Sequence, residues 1–321
     1  MLRQLFTFVL VVASVLAPFG VFAQNNLGCR LRSVTVTVAD AKGKPVTGLT
    51  ANSFQGQFRG QPVRIHHARM TSGSPRFVVA LDISGSMERS LRPSGIAWTI
   101  AGNAIESAPP GSAVGLILFN EKIGLRIGLT QDRAALLEEL KAAMTTKGII
   151  KGRTAIRDAV MEAVAMLGRP RPGDVIYLIT DGGDNMSWTK ESEFTMAVAT
   201  SGARIFGVLF ADLFPTTPEE REGPGLMSGL SKMSGGITVV WSSNLTPGGR
   251  RTLDSLLRRL YFDMQNYYEL MVELPAEIDK PHDWKLHVVD DHGRKLSRYE
   301  VFYPRTLAPC PSTVQTNGVT R

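Results

Sequence analysis

The rhythm of apolar and polar positions changes four times along the chain. Leu5 to Phe22 is a nearly unbroken apolar run with Pro18 and Gly20 near its end. From Leu31 to about Met70 the pattern is that of short strands. Ser33-Val34-Thr35-Val36-Thr37-Val38 alternates with strict period two, Asp40-Ala41-Lys42-Gly43 reads as a turn, and Val63 to His67 resumes the strand pattern after Arg59-Gly60-Gln61. Such alternation puts every other side chain on one face, so one face can be buried and the other wet. Between Arg76 and about Asn266 continuous apolar runs take over: Phe77 to Leu81, Val114 to Phe119, Val175 to Thr180 and Ile205 to Phe210. Runs of that kind predict parallel strands covered on both faces. Amphipathic stretches separate them. Ile156, Ala159, Val160, Ala163, Val164 and Leu167 predict a helix that stops at Gly168 with Pro170 beyond, and Asp132 to Met144 predicts another, capped by Thr130. After Asn266 strands return in Tyr267 to Leu274, Trp284 to Val289 and Ser297 to Tyr303, with the turn Asp290-Asp291-His292-Gly293 between the last two.

Strands alternating with helices predict an α/β domain with a doubly wound, mostly parallel sheet. Neither flank has enough strands for a core of its own, so the two are expected to pair into one small β-sandwich into which the α/β domain is inserted. The expected organisation is a leader over 1–23, an N-terminal β segment over 24–74, the α/β domain over 75–266, a C-terminal β segment over 267–305, and a tail over 306–321 rich in Pro, Ser, Thr and Asn. No solenoid-type repeat is visible.

Composition sharpens the compartment. Arg3 precedes the apolar run and Val21-Phe22-Ala23 follows it, the pattern of a signal peptide cleaved after Ala23, which implies an exported protein, periplasmic or extracellular. The rival is an uncleaved anchor, for which a run of 18 residues stands at the lower edge. The net charge of the whole chain is +7, and it is +6 without the leader. The basic residues are spread out, without a Lys/Arg block or interleaved aromatics, so the pattern of a nucleic-acid binder is missing. The two cysteines, Cys29 and Cys310, stand near opposite ends of the mature chain, where in an oxidising compartment a disulfide would tie the termini together. A rival use of Cys29 is lipidation, since Gly28 precedes it, but Gln24-Asn25-Asn26 separates it from the apolar run.

The chemistry-bearing motif is Asp82-Ile83-Ser84-Gly85-Ser86, directly after the apolar run Phe77 to Leu81. That is the carboxyl edge of a parallel strand, where open α/β sheets bind ligands. Spacing by two aims Asp82, Ser84 and Ser86 at one point, with Gly85 expected to let the backbone turn. Gly152-Arg153-Thr154 brings another hydroxyl, and Leu178-Ile179-Thr180-Asp181-Gly182 ends a buried strand on a second carboxylate. Hard oxygen donors of this kind suit Mg²⁺ or Mn²⁺ and suit zinc poorly.

Asp-x-Ser-x-Ser, a threonine in a later loop, and an aspartate after a strand ending Ile-Thr-Asp-Gly together resemble the metal-ion-dependent adhesion site of von Willebrand factor A (vWA) domains, including those of integrins. The resemblance spans roughly Pro75 to Asn266. Val38-Ala39-Asp40 and Tyr303-Pro304-Arg305 add a weaker similarity to bacterial VWFA-related proteins. The resemblance implies that Ser84, Ser86 and, with ligand bound, Thr154 coordinate the cation directly, that Asp82 and Asp181 hold it through waters, and that a carboxylate from a protein ligand completes the shell. It implies adhesion or another protein-protein interaction, not catalysis. Arg153 departs from the family, which often has a small residue there. The alternative is a structural part of an envelope assembly. A Mg²⁺-dependent phosphatase of the haloacid dehalogenase type would need an acid where Ser84 stands, and a serine hydrolase would need a Gly-x-Ser-x-Gly elbow.

The remaining polar residues read as structural. His66, His67, His282, His287 and His292 all fall in the β flanks, Asp158 reads as a helix ion-pair partner and Asp184 as a turn residue, and Tyr261, Phe262, Tyr267 and Tyr268 read as packing between the parts. Leu253, Leu256, Leu257, Leu260 and Met264 form an apolar stripe on a helix that runs directly into the strand at Tyr267. By similarity to integrin β subunits, ligand binding is expected to bias that helix between two positions.

Overall fold

A computed structural model describes residues 27–91, 95–211, 217–242 and 247–309. The expected leader and the Cys310 half of the expected disulfide lie outside the described residues. Cys29 itself is not a free thiol.

In chain order the elements are α1 (Leu27–Arg30), β1 (Leu31–Asp40), β2 (Phe54–Phe58), β3 (Gln61–Ser72), β4 (Phe77–Asp82), α2 (Glu88–Leu91), α3 (Ile96–Glu106), β5 (Val114–Phe119) and β6 (Ile123–Thr130). They continue with α4 (Arg133–Thr145), α5 (Ile156–Leu167), β7 (Val175–Thr180), α6 (Glu191–Ser201), β8 (Arg204–Ala211), α7 (Pro218–Ser234), β9 (Thr238–Ser242) and α8 (Pro247–Gln265). Strands β10 (Asn266–Glu273), β11 (His282–Val288), β12 (Tyr299–Phe302) and β13 (Thr306–Leu307) close the order.

Six strands form one mixed sheet in the order β6-β5-β4-β7-β8-β9, all parallel except the edge pair β5 and β6. Every residue of β4, β5 and β7 is buried, because helices cover both faces. One face carries Val79, Leu81, Leu116, Tyr177 and Val208 beneath α3, α4 and α8, and the other carries Val78, Ala80, Ile117, Ile176 and Leu178 beneath α5, α6 and α7. Each such aliphatic side chain contributes roughly 1.5–3 kcal/mol. Edge strand β6 alternates half-buried with exposed positions, as a strand covered on one side should.

The two flanks meet in one seven-stranded sheet, in the order β12-β1-β10-β3-β2-β11-β13. Its neighbours pair antiparallel, for instance Val34 with Leu270 and Leu286 with Gly56. It is thus a single curled sheet around a core of Val36, Phe58, Leu270, Val272 and Val288, in place of two stacked layers. Strand β13 takes Thr306 and Leu307 out of the expected tail by pairing with β11. The cap of α4 is Asp132, whose carboxylate accepts from Ala135 N at 3.0 Å, whereas Thr130 accepts from Asp132 N one turn earlier.

Candidate functional site

Strand β4 ends on Asp82, which is fully buried. Its carboxylate bends back onto two neutral donors: Oδ1 accepts the Ser84 amide at 2.8 Å, and Oδ2 accepts the Thr180 hydroxyl at 2.7 Å from the end of β7. The chain then tightens into a 3-10 turn, Gly85–Met87, entered from an extended Ser84. Gly85 is absent from the left-handed φ region, so the turn does not need it for that reason. Its amide instead donates to Gly152 O at 3.0 Å. Ser84 is buried and Ser86 exposed, with their hydroxyl oxygens 3.1 Å apart.

The second loop is drawn in by backbone hydrogen bonds. Lys151 N donates to Ile83 O at 3.1 Å, and Asn120 Nδ2 holds Lys151 O at 3.0 Å. Thr154 follows, buried, with its amide on Asn185 Oδ1 at 3.1 Å and its carbonyl accepting from Asn185 N and Met186 N. Its backbone is thereby engaged, and its hydroxyl takes no hydrogen bond among the described residues. Arg153 is exposed and among the described residues reaches Met186 Sδ, at 3.9 Å.

Asp181 follows β7 and is half-buried, near the Ser86 side chain and the Gly183 amide. Burial and the negative charge of Asp181 push the Asp82 carboxyl up to about 7, against the pull of Thr180 and Ser84. Burial also raises Asp181, with Ser86 and Gly183 opposing and Glu220 adding to the rise. Two carboxylates forced together out of water make a position where positive charge is favoured. No cluster of three or more His, Cys, Asp or Glu side chains suited to a metal occurs among the described residues, so a cation here would rest largely on hydroxyls.

The three loops that carry the five expected site residues are therefore held together at one edge of the sheet. Sequence reasoning missed Thr180, Asn120 and Asn185, which position them. Thr180 stands in the Ile-Thr-Asp-Gly motif itself and could have been singled out, but Asn120 and Asn185 act on residues about thirty positions away and leave no local mark. Asp158 is not an ion-pair partner within its helix. It accepts from Trp188 N at 2.9 Å and from Thr189 N at 3.0 Å, fastening the loop after Asp181. Although burial opposes it, hydrogen bonds from Thr189 and Trp188 hold its carboxyl below the ordinary value. Asp184 accepts from Arg157 Nε at 2.9 Å and from Ser187 N at 3.2 Å. The histidines remain in the seven-stranded sheet and its turns; His66 sits at a bulge of β3 against Glu273, 2.8 Å away. Of the four aromatics, Tyr261 meets Tyr177 in the α/β core, Tyr268 meets Phe54 in the flank core, and Phe262 is exposed.

A mixed α/β sheet whose carboxyl edge carries two carboxylates and three hydroxyls is a domain of the doubly wound class. Residues 77–183, about a third of the chain, match the family model described as von Willebrand factor type A domain, and the chain thus contains a domain of that type. No curated protein gives a significant match. Among solved structures, BatB from Bacteroides thetaiotaomicron is similar at 20% identity, covering 59% of this chain and 98% of that one, with a TM-score of 0.44. Manganese-loaded TRAP protein of Plasmodium vivax is similar at 12% identity, covering 76% and 98%, with a TM-score of 0.41. A von Willebrand factor type A protein from Catenulispora acidiphila is similar at 13% identity, covering 89% and 75%, with a TM-score of 0.40. No helix among the described residues is long and apolar enough to cross a membrane.

Proposed function

We propose that this is an exported binding protein whose vWA-type domain holds one divalent cation, Mg²⁺ or Mn²⁺, and offers it to a carboxylate of a protein partner. Ser84, Ser86 and Thr154 would bind the cation, with Asp82 and Asp181 behind them. The observation that supports the reading is that the three loops carrying these five oxygen-bearing residues are tied together at one sheet edge, with Asp82 buried on neutral donors. A cation held mainly by neutral hydroxyls keeps most of its charge and attracts an anion strongly. Hydroxyl and carboxylate oxygens are the donors hard divalent ions prefer. When bound, the ion would supply an electrophilic anchor for the partner's carboxylate, and the proposed role is binding, not turnover.

Titration calorimetry tests this directly. The expected outcome is one Mg²⁺ or Mn²⁺ site in the wild type, weakened by at least about tenfold in Asp82→Ala and Ser84→Ala, roughly what losing one charge-assisted contact costs. A wild type without a divalent-ion site, or Asp82-dependent hydrolysis of a phosphate ester, would overturn the reading. A pull-down in Mg²⁺ against EDTA then identifies the partner.

A further inference from the structure

A cavity of about 480 Å³ opens beside the five site residues, between α5, α6 and α7, and Gly182, the residue after Asp181, forms part of its wall. Its apolar lining is Phe194, Leu226, Leu230 and Met233, of which Phe194 and Leu230 are buried. The space is kept open by two glycines four residues apart on α7. A Cβ added at Gly225 or Gly229 would meet nothing within 4 Å. Glycine is the poorest helix former after proline, so α7 forgoes helix propensity at two positions on the cavity wall.

The charges around the cavity select its occupant. Asp184, Glu191, Glu219 and Glu222 line it, against a single guanidinium, Arg157. That guanidinium is already paired with Asp184 at 2.9 Å. Glu191, Glu219 and Glu222 enter no ion pair among the described residues, although the chain as a whole carries a net charge of +7. An anion would be repelled, and a neutral apolar group would desolvate the acidic mouth without compensation. A long basic side chain satisfies both parts, laying its methylenes on Phe194, Leu226, Leu230 and Met233 and leaving its cationic head among the glutamates.

We propose that this cavity receives a lysine or arginine side chain of the same protein partner that presents its carboxylate to the cation, so that the domain recognises an acidic residue together with a basic one. The pairing rests on the metal-dependent reading given above; the cavity's preference for a cation does not.

Amide NMR with hexylammonium and butylguanidinium as probes, in EDTA, tests the cavity alone. Both cations should give saturable shifts at Gly182, Gly225 and Gly229. Binding should weaken severalfold between about 20 and about 300 mM salt, because the glutamates are exposed enough to be screened. Gly229→Leu, whose Cβ enters open space, should abolish the shifts while keeping the melting temperature; Gly225→Leu is the second filling variant should the first fail to fold. Hexanoate binding as well as hexylammonium, or hexylammonium shifts that survive a folded filling variant, would overturn the proposal. Selection of random displayed peptides on the wild type in Mg²⁺ tests the pairing. Enrichment of an acidic and a basic residue at fixed separation, with the basic one lost on Gly229→Leu, supports it, and enrichment of acidic residues alone on the wild type overturns it. Hexylammonium failure in EDTA with an intact Asp82-dependent Mg²⁺ titration sinks only the cavity; the converse result sinks only the metal reading.

Discussion

Among the described residues Arg204 is the largest side chain wholly removed from water, and its guanidinium touches both sheets. Nη1 donates to Thr37 Oγ1 at 3.3 Å and Asp263 O at 3.1 Å, Nη2 donates to Met264 O at 2.6 Å, and the group lies 4.6 Å from the ring centroid of Tyr267 and 5.2 Å from that of Phe206. Burial lowers its pKa to about 10, with Tyr267 and Asp263 opposing, so it stays charged at neutral pH. Beside it Asp263 Oδ2 accepts from Arg259 Nε at 2.8 Å while Oδ1 is buried without a partner. Burial therefore raises Asp263 to about 6 despite Arg259. A carboxyl raised in this way binds its proton more tightly folded than unfolded. Its contribution to stability is fully present below its ordinary value of 3.8 and is lost as pH rises through about 6. The unfolding free energy of wild type minus that of Asp263→Asn is thus expected to fall, by on the order of 2 kcal/mol, between about pH 4 and about pH 7 in urea titrations. A flat or rising difference would contradict the assignment. Neither Arg204 nor Asp263 stands out in the sequence, because what makes them special is contact across more than fifty positions. The grouping of Asp82, Ser84 and Ser86 was legible for the opposite reason: spacing within one turn brings them together.

Elements were legible where burial leaves a periodic trace. Val114–Phe119 and Val175–Thr180 coincide with β5 and β7, since a strand buried on both faces must be apolar throughout. Strand β6 alternates over Ile123, Leu125 and Ile127 and was readable but unread, whereas β2, Phe-Gln-Gly-Gln-Phe, is too short and glutamine-rich to stand out. Helix α7 hides its most particular feature from pattern reading: its glycines serve opposite ends. A Cβ at Gly223 would sit 3.0 Å from Gly182 C and 3.1 Å from Asp181 O, so the helix lies directly on the loop that carries Asp181. Gly223→Ala must push the two apart and is expected to cost about 1–3 kcal/mol, as overpacking does, and to weaken Mg²⁺ binding as well. Gly229→Ala, in open space, is expected to stabilise by up to about 1 kcal/mol and to leave Mg²⁺ binding unchanged. Thermal unfolding and calorimetry of the two variants check this, and equal effects would show that the close approach to Asp181 does not matter.

At the scale of the whole molecule the question is whether α8 can carry a signal from the candidate site to the seven-stranded sheet, as its apolar stripe and direct passage into β10 led one to expect. Leu253, Leu257, Leu260 and Met264 are buried against the six-stranded sheet, so sliding the helix would uncover them. The stronger argument lies at its end. Met264 O and Asp263 O, carbonyls of the last turn, are held by Arg204 from the first residue of β8, and the same guanidinium reaches Thr37 in β1. Arg259 adds an ion pair to Glu300 of β12 at 3.5 Å, and Gln265 Nε2 donates to Ser107 O at 3.3 Å. An axial shift would have to break charge-assisted bonds inside a dry interface, where stranding a buried charge costs roughly 3–5 kcal/mol. A ligand can move an equilibrium only by its differential affinity for the two states, and that penalty absorbs most of what one carboxylate on one cation can supply. Helix α8 is therefore expected to act as a fixed bolt between the sheets. Hydrogen exchange should show the 82–86 loop gaining protection in saturating Mg²⁺ with acetate as the carboxylate probe, while protection of residues 257 to 270 stays constant. In Arg204→Met the same residues should exchange faster, with Mg²⁺ affinity within about twofold of wild type because the lock is remote from the site. A change in protection of 257 to 270 in the wild type on adding Mg²⁺ and acetate would restore the moving-helix reading.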